Sequence, residues 1–269
     1  MIIFDPIHGY THWEEPLRII IDSPEFQRLR HIRQLGVSFY VFPGATHTRF
    51  EHSLGTGYLA EKMVTIMNRN QPELELNPFV FKLAGLCLDL GHGPLSHGFD
   101  VFLGENKEAV LIPSRHEDRS VQMLRRICSK WMPDIDASII DMACELIRPT
   151  QHNLPTFWYQ IIANEINGVD VDKFDYINRD SQYAGLSYRI DLARYMEYAR
   201  VVDGVIAYPE RMAADINHLF FVRHEMHEKL YQHATVRAIE LMYGDFLKIV
   251  FAQGVDMDTF ASLTDEIFT

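Results

Sequence analysis

The stretch AGLCLDLGHGPLSH, residues 84–97, decides how the rest of the chain is interpreted. Asn77 and a first-turn proline precede an apolar run, which predicts a buried helix over residues 79–90 that stops at Gly91. Asp89 then falls in the last turn of that helix. A carboxylate at a buried position needs a partner, so this helix end is the first candidate for a chemical site.

Two histidines follow that aspartate at short range. Gly91 and Gly93 turn the chain sharply, which brings His92 and His97 back toward Asp89. An aspartate with two returning histidines is typical of a metal held beside ordered acid and base groups. A capped helix end that carries surface histidines is the competing interpretation, because glycine-rich helix ends are common.

Histidine is also clustered with acidic residues elsewhere in the chain. Five of the 13 histidines lie near an Asp or Glu in the sequence, namely His47, His52, His92, His97 and His116. Imidazole serves both acid–base chemistry and metal binding when a carboxylate is close. The clustering therefore points to a functional site rather than to scattered surface histidines.

Apolar periodicity predicts helices along most of the chain. A first helix is predicted over residues 24–34, an extended piece over 38–42 and a long helix over 48–70. Further helices are predicted over residues 115–131, 137–147, 156–166, 172–183, 192–201, and 209–243 continuing to 252. Asp203 and Gly204 between β-branched pairs predict one small hairpin.

The composition narrows the class of protein. With 269 residues, 47% hydrophobic content and no visible linker or repeat, we expect an all-α fold with a single domain over residues 1–269. The net charge of −12 disfavours duplex nucleic acid as a partner, and no apolar stretch is long enough to cross a membrane. Scattered cysteines, Cys87, Cys128 and Cys144, predict a reducing compartment. We expect a cytoplasmic protein, with the nucleus also compatible.

Seven short blocks stand out beyond this pattern: DPIHG (5–9), FPGA (42–45), RFEHSLG (49–55), LGHGP (90–94), DVDKFDY (170–176), RD (179–180) and YQH (231–233). Together they resemble the HD-domain deoxynucleoside triphosphate triphosphohydrolases, above all the vertebrate members that also carry a SAM domain. The likeness runs from the N-terminus to about residue 245. It implies an HD-domain helical fold and metal-dependent hydrolysis of deoxynucleoside triphosphates to deoxynucleoside and inorganic triphosphate.

In that family two histidines and two aspartates hold the metal. The resemblance places His52, Asp89 and Asp172 as ligands of a divalent cation, for which Fe, Mn, Zn and Mg all stay open. The fourth ligand would stand at position 88, which is Leu88. A leucine offers no lone pair, so we expect weak metal binding unless water or His92 compensates. Leu88 has two explanations. It is an inactivating substitution, or it is the natural residue of an enzyme that is degenerate or has altered metal chemistry.

The resemblance also implies an acid with its supporting residues. By it, His97 protonates the leaving 5′-oxygen when water attacks the α-phosphorus. Asp100, His116 and Glu117 resemble the polar relay that orients and tunes that imidazole. Helix capping is the alternative role, and for His116 it explains the sequence equally well.

Eleven positions resemble the substrate-binding residues of the family: Gln34, Leu35, Arg49, His92, Lys173, Tyr176, Asp180, Arg223, His227, Tyr231 and Gln232. The basic ones among them would surround the triphosphate. The packed ring of Tyr231 would leave no space for a 2′-hydroxyl. The resemblance therefore implies a preference for deoxyribonucleotides by steric exclusion.

Regulation and assembly are implied only in part. Asp22, Gln27 and Arg30 match a guanine-nucleotide activator site, and Arg194 matches a basic residue at a regulatory interface of the family. The sequence stops at Thr269, so we expect the C-terminal lobe of the family to be absent or truncated. Because the family packs its HD domains as symmetric pairs, we expect a homodimer or a larger homo-oligomer.

Two other functions compete with this interpretation. Leu88 fits a catalytically inactive protein that binds deoxynucleotides and senses or sequesters them. The HD scaffold also supports phosphohydrolases that act on other nucleotides, since a fold does not determine a function. The sugar-side match of Gln34, Asp180 and Tyr231 speaks for deoxynucleotides.

Overall fold

The structure is a computed structural model that describes residues 1–106, 111–252 and 254–268. This part of the chain forms thirteen α-helices and two small antiparallel hairpins, which confirms the predicted all-α class. The helices are α1 (Leu17–Asp22), α2 (Pro24–Gln27), α3 (Arg49–Asn70), α4 (Pro78–Cys87), α5 (His97–Glu105), α6 (His116–Trp131), α7 (Ala137–Ile147), α8 (Thr156–Ile162), α9 (Val171–Tyr183), α10 (Leu192–Tyr198), α11 (Ala213–Met226), α12 (Ala234–Val250) and α13 (Met257–Phe260). The hairpins pair β1 (Ile2–Asp5) with β2 (Gly9–His12) and β3 (Arg200–Val202) with β4 (Val205–Ala207).

Helix α3 is the centre of the fold. Its first turn is held because Glu51 accepts a 2.8 Å hydrogen bond from the backbone N–H of Thr48, the residue before the helix. The helix packs against α4 on one side and α9 on the other. Helices α3 and α9 carry His52 and Asp172, and α4 immediately precedes Asp89.

A glycine contact determines how closely α3 and α4 approach. A Cβ atom on Gly85 of α4 would lie 2.9 Å from the carbonyl oxygen of Thr56 and 3.1 Å from the Cα of Gly57 on α3. Only a residue without a side chain fits between the two backbones. The close contact brings the end of α4 beside the first turns of α3.

Helix α4 ends earlier than predicted. It stops at Cys87, and the backbone continues in tight turns in which Leu90 N–H donates to the carbonyl of Cys87 and His92 N–H to that of Asp89. Asp89 therefore lies in the turn after the helix and not in its last turn. The turn points the aspartate toward α3.

Two segments near the N-terminus were predicted wrongly. The helix expected over 24–34 is only α2 followed by a 3₁₀ turn at Arg28–His31, and the piece expected to be extended is a 3₁₀ helix at Gly36–Tyr40. Gly36 has a φ of +50°, and Ser38 N–H donates to the carbonyl of Leu35. The tight i→i+3 turn replaces the strand that β-propensity favours.

The long helix predicted over 209–252 is interrupted. Helix α11 ends at Met226, a π-helical turn spans His227–Tyr231, and α12 begins at Ala234. The N–H of Gln232 donates to the carbonyl of His227, five residues earlier. Such π turns inside helices occur frequently at functional sites.

The predicted hairpin is present, and a second one was not predicted. Asp203 and Gly204 both have positive φ, as a two-residue turn between right-twisted strands requires. The N-terminal hairpin β1–β2 has no Asp-Gly pair between its strands. Its turn is held instead by Asp5, whose carboxylate accepts hydrogen bonds from the N–H groups of Ile7 and His8. Helices α1, α5 and α13 were not predicted either.

A C-terminal segment ties two loops together. One carboxylate oxygen of Asp265 accepts from the N–H of Arg33 and the other from the N–H of Leu95, each at 2.9 Å. Arg28, which is buried, donates to the carbonyl of Leu263 and also to the loop after α4. The loops before α3 and after α4 are thereby joined through residues far along the chain.

None of the helices in the described ranges is long and apolar enough to span a membrane. The three cysteines are unpaired and buried in the helical core.

Candidate functional site

The three predicted ligands meet where α3, α4 and α9 come together. The Nε2 atom of His52 on α3 lies 3.1 Å from an oxygen of Asp172 on α9 and 3.3 Å from an oxygen of Asp89. His52 and Asp89 are buried, whereas Asp172 is partly exposed. We call these residues the His–Asp–Asp set. One imidazole nitrogen and two carboxylates that face the same space are donors that a divalent cation accepts.

Leu88 lies beside this set with its side chain in the wall of the same cavity. It is buried, and its carbonyl oxygen accepts a 2.7 Å hydrogen bond from Ser120, which holds the backbone of the turn. The hydrocarbon side chain adds no donor. The residues present fit a cation held by three protein ligands, the number that catalytic metal sites use when water takes the remaining positions.

Asp89 also pairs with an arginine. A guanidinium nitrogen of Arg49 lies 2.6 Å from Asp89 Oδ2, and another donates to the hydroxyl of Ser96. Burial disfavours the charge on Asp89, but Arg49 and His52 outweigh it and lower the pKa of Asp89 to about 2. The carboxylate is therefore ionised throughout the physiological range.

The ring of His52 carries a positive charge when no cation is bound. Burial opposes that charge, yet the hydrogen bonds with Asp172 and Asp175 and the charge of Asp89 raise the pKa of His52 to about 10. A metal ion at Nε2 would replace this proton. Binding of a divalent cation would therefore release a proton and add one net positive charge to the site.

For the metal-free protein, we expect the free energy of unfolding to fall as the pH rises from 6.5 to 10. The pKa of His52 is higher in the folded state than its ordinary value of 6.5, so its stabilising effect is complete below pH 6.5 and is lost as the pH passes 10. The loss should be roughly 2 to 4 kcal/mol. Urea unfolding at both pH values measures it. A His52→Gln variant should lack this part of the pH dependence, and an equal loss in both proteins would contradict the assignment.

A buried network behind His52 was not predicted. Asp175 lies 2.7 Å from Nδ1 of His52 and 2.6 Å from Nε2 of His8, and it accepts two hydrogen bonds from Arg179. Arg179 in turn donates to Asp5. All five side chains are almost fully buried. The network orients the ring of His52 so that Nε2 faces Asp89 and Asp172, which is how carboxylates support metal-binding histidines.

The predicted acid relay is assembled around Asp100. Nδ1 of His116 lies 2.9 Å and Nδ1 of His97 lies 3.7 Å from the same oxygen of Asp100, and Arg119, which the sequence did not single out, donates to the other oxygen. Glu117 lies 3.7 Å from His116. The side chain of His97 is 72% exposed, so the expected acid faces solvent and the cavity.

Charge in the relay favours a protonated His116. Burial opposes the positive charge, but the hydrogen bond and charge of Asp100 raise the pKa of His116. Asp100 is lowered in pKa, because His116, His97 and Arg119 outweigh its burial. The relay therefore pairs an ionised carboxylate with an imidazole whose pKa is raised by that carboxylate.

His92 differs from its neighbours. It is fully buried, and neither ring nitrogen has a hydrogen-bond partner among the described residues. Its ring stacks on that of His116, with 3.9 Å between centroids. Burial, followed by the charges of Arg49 and His116, lowers the pKa of His92 well below its ordinary value, so the ring is neutral.

These groups open onto one cavity of about 570 Å³. Predicted site residues that line it are Gln34, Leu35, Arg49, Asp89, His92, His97, His116, Glu117, Asp172, Tyr176, Asp180, Arg223, His227, Tyr231 and Gln232. Two other clefts, of about 700 and 670 Å³, lie away from these residues. The three cavities have similar volumes. The 570 Å³ cavity is the candidate site because predicted metal ligands, acid–base groups and cations converge on it.

The predicted sugar-side residues form their own hydrogen-bonded group. The hydroxyl of Tyr231 donates to one oxygen of Asp180 at 2.7 Å, and His47 lies 2.7 Å from the other oxygen. Arg223 donates to the hydroxyl of Tyr176 at 3.2 Å. Tyr231 comes from the π-helical turn, which directs its ring into the cavity wall.

Lys173 is held away from the cavity wall. Its amine donates to Asp170 at 2.8 Å, within the first turn of α9, and its side chain is not among the residues that line the cavity. An ammonium paired in this way must leave Asp170 before it can reach a phosphate. Arg49, Arg223 and His92 are the predicted phosphate contacts that already face the cavity.

The predicted regulatory residues fall in two places. Gln27 donates to the carbonyl of Ile21, and Arg30 donates to Gln27, so both lie together beside α1 and α2. Asp22, at the end of α1, is exposed and pairs with Arg18. Arg194 on α10 pairs instead with Asp215, at 3.0 Å. None of the four lines the cavity that contains the His–Asp–Asp set.

The sequence is similar to a known domain family and to several known proteins. The family profile of the HD domain matches residues 49–180. The deoxynucleoside triphosphate triphosphohydrolase SAMHD1 homolog of Dictyostelium discoideum is 39% identical and aligns with 99% of this chain and 54% of its own length. The deoxynucleoside triphosphate triphosphohydrolases SAMHD1 of Bos taurus and Homo sapiens are 37% and 36% identical over 99% of this chain, which covers 53% and 50% of them. The chain spans about half the length of these curated relatives.

Proposed function

Since this chain is an HD-domain protein homologous over nearly its full length to deoxynucleoside triphosphate triphosphohydrolases, we propose that it acts on deoxynucleoside triphosphates. The proposed reaction adds water at the α-phosphorus and breaks the bond to the 5′-oxygen. The products are a deoxynucleoside and inorganic triphosphate. The relatives are about twice as long as this chain, and we propose that the part they share with it is sufficient for this reaction.

One observation carries the proposal. A single cavity is lined by Asp89 and Asp172 of the His–Asp–Asp set, by His97, His116 and Glu117 of the relay, and by Arg49 of α3 and Arg223 of α11. His52 contacts both of those aspartates from behind the wall, and Asp100 contacts the two histidines. A divalent cation bound by His52, Asp89 and Asp172 would polarise a phosphoryl oxygen and supply an activated water. Position 88 provides no further ligand, so the affinity for that cation sets how much activity the chain retains.

The surrounding residues have roles that follow from their positions. Arg49 and Arg223 face the cavity as cations that can offset the charge of a triphosphate, with His92 as a neutral contact between them and the relay. His97 is the exposed imidazole that can deliver a proton to the leaving 5′-oxygen. Asp100 and His116 hold and tune that ring.

Product analysis tests the proposal. The chain is incubated with each deoxynucleoside triphosphate and Mn²⁺ or Mg²⁺, and the products are separated by ion-exchange chromatography. Release of inorganic triphosphate together with deoxynucleoside supports the reaction. Release of monophosphate or pyrophosphate would assign a different phosphohydrolase chemistry.

Tyr231 should control the choice between deoxyribose and ribose. A Tyr231→Ala variant is expected to narrow the preference for dATP over ATP in binding by about 10- to 100-fold, because removing the ring opens space for a 2′-hydroxyl. Competition with a fluorescent nucleotide measures both dissociation constants. Tyr231→Phe keeps the ring and removes only the bond to Asp180, so it should discriminate as the unaltered chain does. Unchanged discrimination in Tyr231→Ala would contradict the steric account.

A second candidate function rests on Leu88. A chain whose metal site has lost a ligand can still bind a nucleotide through its cations and its sugar-side residues. Such a protein would sense or sequester deoxynucleotides without hydrolysing them. Tight binding without product, in the presence of either metal, would favour this function.

We also propose that the chain assembles as a homodimer or larger homo-oligomer. Helix α12 supports this because it exposes large apolar side chains, among them Leu241, Met242 and Ile249, which are 69%, 71% and 76% exposed. An apolar helix face of this kind is typical of an interaction surface. Light scattering with and without deoxynucleotides measures the mass, and a monomer under both conditions would contradict the proposal.

A further inference from the structure

A second group of metal-binding side chains lies next to the His–Asp–Asp set. It consists of His92, His97, Asp100 and His116, and we call it the three-histidine group. One ring nitrogen or carboxylate oxygen from each residue lies within 4.8 Å of the others. We propose that this group binds a transition-metal dication, for which Zn²⁺ is the best match, at a site separate from the His–Asp–Asp set.

The unpaired ring of His92 is the first observation that supports this site. The side chain is fully buried, but neither nitrogen makes a hydrogen bond to the described residues, and Asp89 Oδ1 stays 3.6 Å from Nε2. Buried polar atoms in folded proteins are nearly always paired, so an unpaired one indicates a missing partner such as an ion. An imidazole nitrogen that carries no proton offers a lone pair to a cation.

The spacing of the donor atoms is the second observation. One such atom from each of the four residues lies within 4.8 Å of the others. Donors on zinc at about 2.0–2.1 Å stand about 3.4 Å apart, so the separations would have to close by at most about 1.4 Å. The rings of His92 and His116 are stacked at 3.9 Å between centroids, so one of them must tilt before both can direct a lone pair at the same ion, and the exposed His97 is free to move toward them.

Asp100 is held in a way that suits a carboxylate ligand. Arg119 donates to its Oδ1 atom, while Oδ2 faces both His116 and His97. A ligand oxygen that is oriented through its partner oxygen is common around bound metals. The guanidinium would thus keep its contact while Oδ2 binds the cation in place of its bond to His116.

The donor composition separates the two neighbouring sites. Three imidazoles and one carboxylate favour zinc and similar ions, whereas one imidazole and two carboxylates accept harder ions as well. Asp89 lies between the sites, with one oxygen 3.3 Å from His52 and the other 3.6 Å from His92. Because Leu88 leaves three donors on one side against four on the other, the three-histidine group should bind zinc more tightly.

This inference does not depend on the proposed substrate, but it has a consequence for the proposed reaction. His97 cannot hold a cation and deliver a proton through the same nitrogen. Zinc in the three-histidine group would therefore remove the expected acid. We expect Zn²⁺ to inhibit any hydrolysis that Mn²⁺ or Mg²⁺ supports.

Zinc affinity measured by competition with a chromophoric chelator tests the site. His97→Ala in the full chain should weaken Zn²⁺ binding by about 100-fold, as expected for loss of a direct ligand. His218→Ala is the matched control, because His218 is also exposed but lies outside the group. It should bind Zn²⁺ as the unaltered chain does. Circular dichroism verifies that both variants are folded.

A second comparison separates the two sites. Asp172→Ala removes a ligand of the His–Asp–Asp set and should leave the Zn²⁺ affinity within about threefold. Absence of Zn²⁺ binding, or equal affinity in His97→Ala and the unaltered chain, would overturn the inference. A loss confined to Asp172→Ala would also overturn it, while leaving the proposed hydrolysis intact. Failure of hydrolysis in the product analysis would not alter the zinc measurements.

Discussion

A Leu88→His variant is expected to bind Mn²⁺ about 100-fold more tightly than the unaltered chain and to release far more inorganic triphosphate from deoxynucleoside triphosphates. The side chain at position 88 lines the cavity beside Asp89, so an imidazole there adds a fourth donor to the His–Asp–Asp set. Each lost ligand weakens a metal site by at least the 10- to 100-fold that loss of a supporting residue produces. Metal titration and ion-exchange chromatography give the two readouts.

Leu88→Met is the matched control for this experiment. Methionine has a similar volume and lacks an imidazole, so it should keep the fold, the metal affinity and the activity of the unaltered chain. Turnover by both the unaltered chain and Leu88→His would mean that three protein ligands suffice. If neither protein releases product but both still bind nucleotide, the result would favour a nucleotide-binding protein over an enzyme.

An Asp175→Asn variant should lose about 3 to 5 kcal/mol of unfolding free energy. The substitution keeps the shape of the side chain but removes the charge that Arg179 and two histidines share in a fully buried place. Removing one partner of a buried pair leaves the other charge uncompensated, which is the costly case. Urea unfolding measures the loss.

The same change at an exposed pair is the control. Asp141 pairs with Arg125 at 2.7 Å, but both side chains are more than half exposed, so Asp141→Asn should change the stability little. Asp175→Asn should also weaken metal binding at His52, because Nδ1 loses the carboxylate that orients the ring. Similar stability losses at the two positions would contradict the importance given to burial.

The fold could be predicted where the signal is local. Helices α3 and α7 have apolar periodicity and clear first turns, and their observed bounds agree with the predicted ones within one residue. The 3₁₀ helix at Gly36–Tyr40 and the π-helical turn at His227–Tyr231 could not be predicted, because the deciding hydrogen bonds and backbone angles are not encoded in apolar spacing. Hairpin β1–β2 depends on hydrogen bonds to the carboxylate of Asp5, and the sequence does not show that this aspartate makes them.

The structure brings together residues that the resemblance assigned to one site, but the buried contacts behind them were not predicted. His52, Asp89 and Asp172 were placed by resemblance, and the structure brings them within hydrogen-bonding distance of one ring nitrogen or close to it. Asp175 and His8 lie in sequence blocks that were noted, but their contact joins residues 167 positions apart. No pattern within one segment reveals such a contact. Lys173 shows the opposite case, because its pairing with Asp170 is local and was still not anticipated.

The hydrogen bonds of Asp265 to the loops before α3 and after α4 can form only late during synthesis of the chain. A chain leaves the ribosome N-terminus first, so residues 33 and 95 are made long before the carboxylate that joins them. Contacts that span 232 and 170 positions close late, after the helices around α3 have had time to pack. Nascent chains shorter than 265 residues should therefore contain the helical core while the loops before α3 and after α4 still lack the residue that joins them.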